Sequence, residues 1–256
     1  MVLKQSIFEA WVAETGQQNI HLLEKVLSEE ERSRGWQFHR QELREQHVVA
    51  HALKRLCIAK WLGGIDPREL RFAALASGKP ILLDTPVEFN LSHTRGVCAV
   101  VLSNLGPCGV DIEAREAGRH LSPALLETMT VSEQGRILAS GDPYGAFVER
   151  WVVKEAFAKF TGLGLAERFD TLCTEHMFDE DGAEFGSFRD AHLWRKQFGR
   201  YCIAVCVAVA RDGAWRGNIH AASEDGFGGL TASGYEFIGV QGRANISLAA
   251  TNGGPQ

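Results

Sequence analysis

One stretch limits the fold of this chain more than any other. From Arg150 to Gly164 it reads Arg-Trp-Val-Val-Lys-Glu-Ala-Phe-Ala-Lys-Phe-Thr-Gly-Leu-Gly. Val152, Val153, Ala156, Phe157 and Phe160 recur at helical spacing, and Gly162 with Gly164 stops the pattern. The spacing predicts a helix with one buried side. Glu155 and Lys159 are four apart, so they project from one face about a turn from each other, a carboxylate beside an ammonium. Alone, such a pair reads as a surface ion pair contributing about 0.2–0.5 kcal/mol.

Other helices announce their starts. Ser28 with Glu31, and Thr130 with Glu133, have the spacing of capping boxes, in which each side chain satisfies an amide that the helix leaves open. The first predicts a helix carrying Arg32 and Arg34; the second predicts one running to about Ala139. Between them, residues 41–62 form a longer helical pattern ended by Gly63-Gly64, and His47, His51, Lys54 and Arg55 share its polar side. The expectation for that side is a solvated face. Residues 118–129 read as a loop and short helix, and Ser140-Gly-Asp-Pro143 as a break before the Glu155 helix.

Strand patterns occupy much of the remainder: residues 6–13, 70–75, 81–83, 87–92, 97–102 and 108–113, then 172–178, 191–194 and 201–210, with turns at Ser77-Gly-Lys-Pro80 and Asp179-Glu-Asp-Gly182. In Cys108-Gly-Val-Asp-Ile-Glu113, alternation places Asp111 and Glu113 on one side and Ile112 on the other. Two carboxylates so placed repel each other unless a cation or base stands between them.

The chain has 256 residues with a formal net charge of −5, its 27 basic and 32 acidic residues intermixed. That balance is not the footprint of a nucleic-acid coat, so any polyanion must meet a local basic cluster. Neither a signal-peptide core nor an apolar run of membrane-spanning length is present, which predicts a cytoplasmic protein without a membrane partner. The six cysteines lack a Cys-x-x-Cys pair and read as free thiols, most of them buried.

The same offset separates Cys98 from Cys202 and Arg55 from Lys159, each pair on matching helix and strand patterns. This suggests an α+β fold of two similar halves related by a pseudo-two-fold, residues 1–107 and 108–212. Residues 213–256, rich in glycine and without lysine, are expected to be weakly ordered and to carry no chemistry.

Four stretches occur in a fixed order: Gly78-Lys79-Pro80, Phe89-Asn90-Leu91-Ser92-His93, Gly109-Val110-Asp111-Ile112-Glu113, and Trp151-Val-Val-Lys154-Glu155-Ala156-Phe157-Ala158-Lys159. Together they resemble the surfactin-type 4′-phosphopantetheinyl transferases, single-chain enzymes built of two similar halves. The resemblance spans about residues 6 to 210. It implies transfer of the 4′-phosphopantetheine arm of coenzyme A to a serine of an acyl or peptidyl carrier protein, as holo-acyl-carrier-protein synthases do. Adenosine 3′,5′-bisphosphate is released and Mg²⁺ is required.

By that resemblance Asp111, Glu113 and Glu155 would be the Mg²⁺ ligands, a set of oxygen donors that suits a hard cation. Glu155, or a water it holds, would also serve as the base for the carrier serine, and Lys159 would sit against the departing phosphate and stabilise or protonate it. Lys79, Ser92 and His93 match positions that hold the nucleotide and its phosphates, and Arg34 and Arg40 fall in the helix region that reaches the 3′-phosphate. Where relatives often carry more basic residues, this chain has Glu29, Glu30 and Glu31. The carrier would meet Leu121, Leu125, Leu126 and Met129, with Arg115, Arg119 and Arg136 steering an acidic partner. The resemblance also implies a monomer. Two other activities fit the same residues: a Mg²⁺-dependent nucleotide pyrophosphohydrolase, and a binding module for coenzyme A or a carrier without catalysis.

Overall fold

A computed structural model of the chain describes residues 7–75, 78–116, 118–178, 185–209, 214–222, 232–240 and 243–245. In chain order the strands and α-helices are β1 (Ile7–Glu14), α1 (Ile20–Leu23), α2 (Glu29–Trp36), α3 (Gln41–Trp61), β2 (Phe72–Ala74), β3 (Pro80–Leu82), β4 (Glu88–Thr94), β5 (Val97–Ser103) and β6 (Cys108–Ala114). There follow α4 (Pro123–Leu126), α5 (Val131–Ala139), α6 (Pro143–Thr161), β7 (Phe185–Phe188), β8 (Ala191–Phe198), β9 (Tyr201–Ala208), β10 (Ala214–Ala222), β11 (Ala232–Val240) and β12 (Arg243–Asn245). The chain divides into two compact units, residues 1–106 with 210–256, and residues 107–209. Among the described residues no helix is long and apolar enough to cross a membrane.

In the first unit six strands form a sheet in the order β12-β11-β10-β1-β5-β4. β1 is antiparallel to β5 and parallel to β10, with Ile7 opposite Arg216 and Val12 opposite Ala221. Residues 214–222, 232–240 and 243–245 contribute three strands to this sheet. Its β10 and β11 hold Trp215, Ile219, Tyr235, Phe237, Ile238 and Val240, residue types suited to a pleated surface. Helix α3 packs its Val49, Leu53, Cys57 and Ile58 into a core with Trp11, Phe89, Val100 and Leu102. Its start needs no side-chain cap, while α2 begins in the expected capping box, Ser28 and Glu31 each accepting the other's amide.

In the second unit the sheet is antiparallel, in the order β6-β9-β8-β7. Helix α6 lies on β6 and β9, burying Val152, Val153, Ala156 and Phe157 among Leu193, Ala204 and Cys206. Asp142 caps it, accepting from the Gly145 amide, and Gly162 ends it at φ 77°, a left-handed turn that costs glycine little. The other glycine that matters is Gly109 on β6. A Cβ built there would overlap the Ala156 carbonyl oxygen and lie 2.7 Å from the Phe160 amide nitrogen, so only glycine lets β6 approach the α6 backbone.

Two local readings change. Residues 172–178, expected as a strand, are mainly a 3-10 turn (Thr174–Met177), because the Thr174 amide and hydroxyl are both taken by Glu133. Strand β7 follows, absent from the sequence reading, and the turn expected at 179–182 lies outside the described residues.

Candidate functional site

The residues singled out fall into two groups, one in each unit. In the second unit, β6 presents Asp111, buried, and Glu113, half-buried, with Ile112 turned into the core. The strand alternation expected from the sequence is therefore what forms. Opposite, α6 presents Glu155 and Lys159. Lys159 reaches across to β6, its Nζ donating to Asp111 Oδ1 at 2.7 Å and to the Val110 carbonyl oxygen at 3.1 Å. The ammonium thus bridges helix and strand, a different task from the surface ion pair its spacing with Glu155 suggested.

Glu155 is half-buried, and its carboxyl is pushed above the ordinary value of 4.5. Burial is the main cause, the nearby Asp111 charge adds to it, and Lys159 partly offsets both. An acidic pair that resists double ionisation, with a half-buried third carboxylate two residues along the strand, is donor chemistry that a hard divalent cation satisfies. Among the described residues no three of His, Cys, Asp and Glu are already gathered into a metal-holding cluster. Asp111 and Glu155 are neighbours in the fold, and the Lys159 ammonium, bonded to Asp111, offsets part of their mutual repulsion.

What holds α6 in place lies one residue before Glu155. Lys154 is wholly buried, donating to Glu133 Oε2 at 2.6 Å and to the Phe169 carbonyl oxygen at 2.7 Å. Glu133 in turn caps α5 through the Thr130 amide and accepts both donors of Thr174. Two sequence signals, the second capping box and the lysine of the Trp-x-x-Lys-Glu stretch, thus meet at one point. The sequence reading gave Lys154 no role; a lysine amid Val152, Val153, Ala156 and Phe157 is the signal that could have found it.

In the first unit β4 carries Ser92, buried, and His93, exposed, and Lys79 lies between β2 and β3 with Nζ 3.8 Å from Glu88 Oε2. Arg34 stands exposed in the last turn of α2. Arg40, at the cap of α3, is exposed and pairs with Glu42 at 3.1 Å.

The polar side of α3 is not a solvated face. Lys54 and Arg55 are buried and close on Glu31 Oε1 at 2.7 Å and Oε2 at 2.5 Å, while His51 Nδ1 donates to Oε1 at 3.0 Å and His47 Nε2 to the Glu31 carbonyl oxygen at 2.8 Å. Burial would raise the Glu31 carboxyl, but the His51 hydrogen bond and the Lys54 and Arg55 charges hold it well below the usual range. Burial keeps both imidazoles below their ordinary value. Glu31, which stands where a basic residue was looked for, is the counter-ion that lets α3 bury two cations and docks α2 on it.

Of the apolar set expected to meet a partner, Met129 is buried in the core and Leu121, Leu125 and Leu126 pack partly against it. The exposed apolar groups nearby are Val131, 86% exposed, and Leu138 on α5. Arg115 ties Asp142 and Glu149, Arg119 pairs with Glu116, and Arg136 with Glu175, so each expected steering cation already faces an acid. Among the described residues the six cysteines are free, five of them buried, as expected.

Residues 107–206 match the model of the 4′-phosphopantetheinyl transferase superfamily. The chain is 29% identical to the 4′-phosphopantetheinyl transferase pptA of Paxillus involutus over 63% of its own length and 72% of the relative's. It is 27% identical to the 4′-phosphopantetheinyl transferase Sfp of Bacillus subtilis over 71% and 82%. With the 4′-phosphopantetheinyl transferase HetI of a Nostoc species the identity is 28%, over 57% of this chain and 63% of that one, just under two thirds of the relative's length.

Proposed function

We propose that this chain, which carries a domain of the 4′-phosphopantetheinyl transferase superfamily at residues 107–206, transfers the 4′-phosphopantetheine arm of coenzyme A to a serine of an apo acyl or peptidyl carrier protein. Adenosine 3′,5′-bisphosphate leaves. The observation that carries this reading is the meeting of Asp111, Glu155 and Lys159 at the face between β6 and α6, inside the matched stretch.

Asp111, Glu113 and Glu155 are the residues that would hold Mg²⁺, which when bound supplies neutralisation of pyrophosphate charge. The chain's own residues do the rest. Glu155, a stronger base than an exposed glutamate because burial and Asp111 raise its proton affinity, accepts the proton of the attacking serine hydroxyl. Lys159, aimed by Asp111 and the Val110 carbonyl, offers an ammonium to the phosphate that departs. Such a reaction needs alignment and charge balance more than covalent help, and a lysine fixed between strand and helix suits it. Lys79, Ser92, His93, Arg34 and Arg40 are proposed to hold the nucleotide end. The free cysteines fit a reducing compartment, and we place the protein in the cytoplasm as a monomer.

The test is a product balance with coenzyme A, Mg²⁺ and an apo carrier. One adenosine 3′,5′-bisphosphate per modified carrier supports transfer. Free 4′-phosphopantetheine formed without a carrier would make the protein a pyrophosphohydrolase, and coenzyme A binding without either product a binding module.

A further inference from the structure

His93 and Gln46 are 47 residues apart and belong to different elements, β4 and α3. Gln46 is buried in the second turn of α3, and its Nε2 lies 2.9 Å from His93 Nδ1 and 3.0 Å from the Thr94 carbonyl oxygen. The carbonyl decides which way the amide is turned. An amide oxygen in place of Nε2 would face another oxygen at 3.0 Å, so the nitrogen stands there and spends one N–H on Thr94. Its second N–H then points to His93, and Nδ1 must accept it. A neutral imidazole with an accepting Nδ1 carries its proton on Nε2.

The geometry points to Gln46 as a positioning residue that fixes the tautomer and ring orientation of His93, making this imidazole an Nε2–H donor. Thr94 is the last residue of β4, paired with Val97 across the Arg95-Gly96 turn. A buried side chain anchored on that carbonyl holds the imidazole to the hairpin as well as orienting it. An imidazole that presents N–H rather than a lone pair is complementary to an anionic oxygen. This last step rests on the reading of His93 as a phosphate contact for coenzyme A, whereas the tautomer itself does not.

The experiment uses the full chain labelled with ¹⁵N at histidine, with long-range ¹H–¹⁵N correlation of the imidazoles and His93→Gln to identify the signal. The wild-type protein at neutral pH is expected to show His93 with Nδ1 bare and Nε2 protonated. Gln46→Ala should give mixed tautomers. Gln46→Glu, which offers a carboxylate where a donor stood, should move the proton to Nδ1. A wild-type His93 protonated on Nδ1, or the same tautomer in all three proteins, would overturn the assignment. Calorimetric coenzyme A affinity is read in parallel, and Gln46→Ala should weaken it about two- to tenfold, the range for one lost hydrogen bond. Unchanged affinity despite a shifted tautomer would overturn the link to the ligand. Absence of coenzyme A binding in the wild type would sink the functional reading while the tautomer still judges Gln46.

Discussion

Lys154 Nζ and Glu133 Oε2 stand 2.6 Å apart with both side chains fully shielded from solvent. Each group's remaining partners are also protein: the Phe169 carbonyl for the lysine, Thr130 and Thr174 for the glutamate. The pair ties α5, the 169–174 segment and α6 together one residue before Glu155. Removing one partner leaves a buried charge alone, so Lys154→Met or Glu133→Gln should each destabilise the fold by about 3–5 kcal/mol. Denaturant melts of the single and double variants check this, with the double less destabilised than the sum of the singles.

Gly109→Ala should also destabilise, by about 1–3 kcal/mol or more, because the new Cβ meets helix backbone rather than a side chain that can turn away. The helix would have to retreat from β6, which pulls Lys159 from Asp111. Thermal melts and transfer assays on this variant should both fall, the second more steeply.

Glu155 has the opposite balance. Its folded carboxyl is raised, so its contribution to stability is full below the unfolded value and is lost as pH rises through the folded value. At neutral pH the ionised group is a cost. Glu155→Gln should therefore leave the melting temperature unchanged or higher while abolishing transfer. Mg²⁺ with coenzyme A should raise the melting temperature of the wild type more than that of the variant.

Acid should loosen the first unit in two stages. His47 and His51 are held below their ordinary 6.5, so the unfolded chain takes protons first and stability begins to fall below about that pH. Glu31 is depressed from 4.5; its contribution is present above that value and is lost as pH falls further. A pH series of melts should show both, and Glu31→Gln should flatten the lower stage while lowering stability at neutral pH.

Much of this was legible because the signals are local. Both capping boxes, the lengths of α3 and α6, and the alternation that pairs Asp111 with Glu113 depend on residues within a turn or two, and the structure places them as read. What the sequence could not show depends on distant partners. The polar side of α3 looked solvated because Glu31, its counter-ion, lies 20 residues from His51 and farther from Lys54 and Arg55. Residues 172–178 looked like a strand because a short apolar run has no decisive period, and Glu133 claimed the Thr174 amide. Met129 shows a similar limit, since an apolar residue near a proposed surface is read equally well as core.

Transfer by this chain is tested most simply by intact-protein mass spectrometry of an apo carrier protein incubated with it, coenzyme A and Mg²⁺, beside an EDTA control. The carrier is expected to gain the mass of one phosphopantetheine arm, and EDTA to abolish the gain. A carrier mass unchanged across fatty-acid, polyketide and nonribosomal-peptide carriers, with the chain folded and binding coenzyme A, would contradict it.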